Sequence, residues 1–158
     1  MKIELRKLRI AKQLSEESTA YSAEIWIDGE RAFLASNRGT GGCDFYQPVG
    51  RHTVQDVDAW LLQNRSTVAY RGLGVPNDLE TEVAMLMDGI EVTKRLKRLM
   101  RTNIVAIKDN EVVSYPLKGQ DPEKLKAALL ARNPALAILD TADSERMDLA
   151  VSLIVAAC

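Results

Sequence analysis

From Ala23 to Ala35 the chain reads as two alternating runs joined by Asp28-Gly29. Ala23, Ile25 and Ile27 alternate with Glu24 and Trp26, and the run resumes as Arg31-Ala32-Phe33-Leu34-Ala35. A period of two puts alternate side chains on one face of a strand, which no helix does. Asp-Gly between such runs signals a two-residue hairpin, because the favoured turn needs positive φ at its central positions. The strand pattern of residues 2–13 lies just before this hairpin, so residues 2–37 predict a three-stranded antiparallel meander.

The spacing then changes to that of helices. Thr53-Val54-Gln55-Asp56 resembles a capping box with Asp where Glu or Gln is usual, and Val54, Val57, Trp60 and Leu61 follow at helical intervals, predicting a helix over 54–64. A loop holding Gly72, Gly74 and Pro76 leads to Asn77-Asp78-Leu79-Glu80, a second N-terminal signal. Leu79, Val83, Leu86, Ile90, Leu96, Leu99 and Met100 carry an apolar stripe to Arg101, the expected spine of the fold, about 37 Å long at the helical rise. Strand runs flank Asp109-Asn110, predicting a hairpin over 103–117. Asp121-Pro122 opens a helix to Arg132, Ala135–Leu139 reads as a short last strand, and Asp143 or Ser144 caps a helix through Val155. No repeat or linker interrupts this order. The expectation is one α+β domain over 1–158: an antiparallel sheet of two hairpin units, the meander 2–37 and the hairpin 103–117, packed against a long central helix of about 77–101 and shorter helices.

Composition removes whole classes of function. With 158 residues, 46% hydrophobic and 27% charged, the chain is an ordinary globule able to build a core without metal or disulfide. A net charge of -1 supplies no overall field for nucleic acid, so sequence-specific contact with it is not expected. Charges recur too often after Met1 for a signal peptide, and Leu149–Cys158 is too short to span a bilayer. Cys43 and Cys158 read as reduced thiols in the cytoplasm, away from membranes. Together with the lone His52 they cannot complete a zinc site, and no cofactor is implied.

The segment Asn37 to Tyr46 is the sharpest candidate site. Gly39, Gly41 and Gly42 permit positive φ and close backbone approach, so successive N–H groups beside Arg38 could cradle an anion. Neither nucleotide-binding glycine fingerprint is present. The other reading is that Gly41 and Gly42 bend the chain to present Asp44, Phe45 and Tyr46 at the sheet edge as a protein contact. Cys43 and His52 lack the surroundings of a catalytic pair. The carboxylates Glu16-Glu17, Asp56 and Asp58, and Asp140 and Asp143 show no catalytic pattern, so no enzyme is expected. Lys94, Arg95, Lys97, Arg98 and Arg101 complement the dipole at the end of the long helix and could also hold an anionic partner. The last helix is apolar nearly all round, which calls for burial in the fold, or under a second copy of the chain or another protein.

Three features together resemble a family of small uncharacterised proteins encoded by phages, prophages and plasmids: the Ile27-Asp28-Gly29 hairpin, the loop from Asn37 to Tyr46, and Asp78-Leu79-Glu80 opening a helix that ends in Lys97-Arg98-Leu99. The resemblance implies an accessory gene product. Such a product is expected to act by stoichiometric binding to a host protein, for example in inhibition of an antiviral defence system, as anti-CRISPR proteins do. The alternatives are sequestration of a nucleotide or other phosphate by the glycine loop, and a nucleic-acid-associated role for the 94–101 patch.

Overall fold

The computed structural model describes residues 1–65, 68–70, 73–75 and 77–157, with the backbone alone at 68–70, 73 and 75. It is α+β, with four helices and antiparallel sheets among the described residues. The chain divides into two compact units, Met1–Met87 and Asp88–Cys158.

In the first unit, β1 (Ile3–Ile10), β2 (Tyr21–Ile27), β3 (Glu30–Asn37) and β4 (Phe45–Pro48) form a meander in that order. Asp28 at φ 50° and Gly29 at φ 85° make the β2–β3 turn that the Asp-Gly pair predicts. The fourth strand lies inside the segment expected to be loop. Its glycines end before Phe45, and Phe45 and Tyr46 then pair with Ser36 and Ala35. One sheet face carries Ile25, Ile27 and Phe33 into a core closed by Val57 and Leu61 of α1 (Val54–Asn64) and by Leu79, Val83 and Met87 of α2 (Leu79–Leu99). Thr53 caps α1, accepting from the Asp56 N–H at 3.2 Å. The Asp56 carboxylate takes the Thr53 hydroxyl at 2.6 Å, the reach a shorter acid has in place of Glu. A short hairpin of β5 (Val68–Tyr70) and β6 (Leu73–Val75) occupies the expected loop, while Gly72 and Pro76 lie outside the described residues.

The long helix begins two residues later than expected, because Asp78 is its cap and accepts from the Thr81 N–H at 2.8 Å. In the second unit β7 (Asn103–Lys108) and β8 (Glu111–Pro116) form the hairpin around Asp109 and Asn110, both at positive φ. The two hairpin units therefore lie in separate sheets, each closing its own core. After α3 (Pro122–Arg132), β9 (Ala137–Ile138) joins β7 on its other side, giving the order β8-β7-β9. Val105 and Ile107 pack with Val92 and Leu96 of α2 and with Met147 and Ala150 of α4 (Ser144–Ala156). Asp143 is the cap of α4, accepting from the Arg146 N–H. Among the described residues, no helix is long and apolar enough to cross a membrane.

Candidate functional site

The glycine loop is tied from within. Asn37, at the end of β3, accepts at Oδ1 from the Ser18 hydroxyl (2.9 Å) and the Gly39 N–H (2.8 Å). Its Nδ2 donates to the Gly42 carbonyl (2.9 Å) and to Asp44 Oδ1 (2.8 Å). The Gly41 N–H donates to Ser18 Oγ at 3.2 Å. From the other side, the N–H groups of Glu16, Glu17 and Ser18 converge on the Gly39 carbonyl at 3.0–3.2 Å. Gly39 sits at φ 85°, and a Cβ there would lie 2.1 Å from the Leu14 carbonyl oxygen, so only glycine fits. Gly42 needs no such freedom, since its Cβ would meet nothing within 4 Å.

Asp44 is the hub. Its Oδ2 accepts from the Tyr21 hydroxyl (2.5 Å) and the Tyr46 hydroxyl (2.8 Å), while Asn37 occupies Oδ1. Burial, reinforced by the Asp44 charge and hydrogen bond, pushes the Tyr21 phenol well above its ordinary range. Burial, then the adjoining Tyr21 phenol and the Asp44 charge, do the same to Tyr46. Both hydroxyls therefore remain donors. The Tyr46 ring meets Phe33 edge-on at 6.3 Å and packs against the first core. Of the three side chains expected at the sheet edge, Asp44 and Tyr46 brace the loop and Phe45 alone is presented, 64% exposed. Sequence reasoning passed over Ser18 and Tyr21, whose partners lie 19 and 23 residues away.

A cleft of about 470 Å³ beside the loop is lined by Glu16, Glu17, Asp44 and Glu80, and not by Arg38. Burial, then the Asp44 and Asp78 charges, raise the Glu80 carboxyl above its usual range. With the Gly39 and Gly41 N–H groups already bonded and acids around them, the cleft repels a phosphate.

The sheet's outer face has a different chemistry. Register places Arg9, Ser22, Ser36 and Phe45 in one row across the four strands, with Leu34 on the diagonal from Phe45. Arg6 stacks over Trp26 at 4.0 Å. Glu24 takes hydrogen bonds from Lys7 (2.9 Å) and Trp26 (3.1 Å), and these hold its carboxyl below the usual range.

The basic run at the end of α2 is divided by helical geometry. Lys94 pairs with Glu91 at 2.9 Å. Arg95 and Arg98 flank one groove, and Lys97 and Arg101 line another with Lys126. Cys43 is exposed, and among the described residues no hydrogen bond joins it to His52, whose Nε2 is buried without a partner. Nor is any group of acids, histidines and cysteines among them arranged to hold a metal ion. No protein-family model matches the chain, and no curated protein or solved structure matches it either.

Proposed function

We propose that the protein works by stoichiometric protein binding through the outer face of its first sheet, with Phe45 as the anchor. The observation that carries this reading is the exposure of Phe45 at 64% and Leu34 at 37%, diagonal neighbours on a face that also bears Trp26 and Arg6. Aromatic and arginine side chains dominate the energetics of protein interfaces. The Asp44 hub adds stiffness behind Phe45, so little conformational entropy is lost when a partner covers the ring. A carboxylate with both oxygens already bonded braces a loop and is poorly placed to move protons, which favours binding over catalysis. The resemblance to phage, prophage and plasmid proteins supports a cytoplasmic target in a host antiviral system. Self-association through α4, where Leu149 is 51% exposed, is the alternative interface.

The test is paired. The wild-type chain, expressed in bacteria that restrict phage, should restore plaque formation and co-purify with one host protein near equal stoichiometry. Phe45→Ala should lose both by at least about tenfold while its melting temperature stays within a degree or two, the mark of a lost contact worth about 1.4 kcal/mol or more. Equal capture by the variant, or a light-scattering mass that Leu149→Glu reduces to a monomer while capture disappears, would move the interface away from Phe45.

A further inference from the structure

The second unit carries a groove of about 570 Å³ with an apolar floor of Leu96, Leu99, Val112 and Ile154, flanked by Arg95 and Arg98. Neither arginine has an ion-pair partner among the described residues, and the run from Lys94 to Arg101 contains no acid. A hydrophobic trough beside two unpaired guanidinium groups matches a chain that alternates apolar and acidic side chains.

The wall of the groove decides the conformation of that chain. Among the described residues β8 is an edge strand, paired with β7 alone. The Leu117 N–H donates to the Thr102 carbonyl at 3.0 Å, so 102 and 117 are a hydrogen-bonded pair. Antiparallel alternation makes 104/115, 106/113 and 108/111 bonded pairs as well, which turns the N–H and C=O groups of Val112 and Ser114 outward. Val112 and Ser114 are also groove residues. Backbone groups, apolar floor and positive rim thus meet at one place. We propose that this edge is a docking site for an extended acidic and apolar segment of a partner protein, which adds a strand to β8, sinks an apolar side chain between Leu96, Leu99 and Ile154, and sets its carboxylates against Arg95 and Arg98. This site is independent of the Phe45 face.

The probe is a fluorescent peptide of alternating glutamate and leucine, measured by anisotropy against the full chain at low and high salt. It should bind below about 1 mM, weaken with salt, and bind at least about tenfold more tightly than peptides alternating glutamate with serine or lysine with leucine. Arg95→Glu/Arg98→Glu should cost at least about tenfold in affinity. Ser114→Pro removes one outward N–H, a change an edge strand tolerates, and should weaken binding similarly. Methylating alternate backbone nitrogens of the probe tests the same edge without altering the protein. Phe45→Ala should change nothing. The proposal is overturned if no peptide binds, if charge reversal or the methylated probe leaves affinity intact, or if a single-stranded oligonucleotide binds more tightly than the probe and loses that binding on charge reversal.

Discussion

At Gly39 and Gly42, three residues apart in one loop, the same substitution has opposite consequences. Gly39→Ala would combine a left-handed backbone with a Cβ 2.1 Å from a carbonyl oxygen, and should cost about 3 kcal/mol or more by denaturant titration. Gly42→Ala should stay within about 0.5 kcal/mol of wild type, since its Cβ enters open space. Two carboxyls make a similar contrast with pH. Glu80, raised in the folded state by burial and neighbouring acids, subtracts stability while it is charged. Glu80→Gln should therefore raise the melting temperature at neutral pH, and the gap should close as pH falls through the raised pKa. Glu24, lowered by Lys7 and Trp26, adds stability above its unfolded pKa that is lost as pH falls through the lower folded value. Glu24→Gln should lower the melting temperature at neutral pH, with convergence only in more acid solution. Local residue chemistry was legible in the sequence wherever the partner was close: Asp28-Gly29 and Asp109-Asn110 adopt the positive φ their side chains tolerate. The bond of Asp44 to Tyr21, 23 residues away, was not legible, because nothing local tells an acid which distant strand will be folded beside it.

At the level of elements, caps carried most of the information. Helices α1 and α3 span the residues expected, 54–64 and 122–132, since Thr53 and Asp121 satisfy the first free N–H groups and Asn133-Pro134 stops the second helix. Asp143 offers a clean measurement of such a cap. It accepts from the Arg146 N–H at 3.0 Å and pairs with the Arg146 guanidinium at 3.4 Å. Asp143→Ala should cost about 1 kcal/mol in chemical denaturation, and Asp143→Asn, which keeps the cap and loses an exposed ion pair, only a few tenths. A loss for Asn equal to that for Ala would place the energy in the ion pair. Strand β4 escaped notice for a physical reason: four residues ending in Pro48 show too little alternation, and its pairing depends on β3 being present already. The 94–101 run was legible as charge but not as two sets of rims, which only the sheet and helices around it separate.

Over the whole molecule, α2 contributes Leu79, Val83 and Met87 to one core and Val92 and Leu96 to another. Periodicity alone shows a continuous stripe and cannot reveal that its two halves serve different cores. Leu96→Ala should cost about 2–5 kcal/mol locally, speeding hydrogen exchange at Val105 and Ile107 while Ile25 and Phe33 keep their protection. Phe33→Ala should do the reverse, and loss of protection in both sets from either change would mean that the cores unfold as one. The strand edges differ in a way that bears on growth beyond a single molecule. β1 is broken by Lys7 at φ 53° and by a register shift between Arg6 and Arg9, and β4 is short and ends in proline, so neither margin of the first sheet templates a further strand. β8 keeps its register with β7 from Glu111 to Pro116, and its other side has no strand beside it among the described residues. If the chain ever polymerised, that margin would be the seam, and whatever occupies it in the cell would act as a plug against fibre growth.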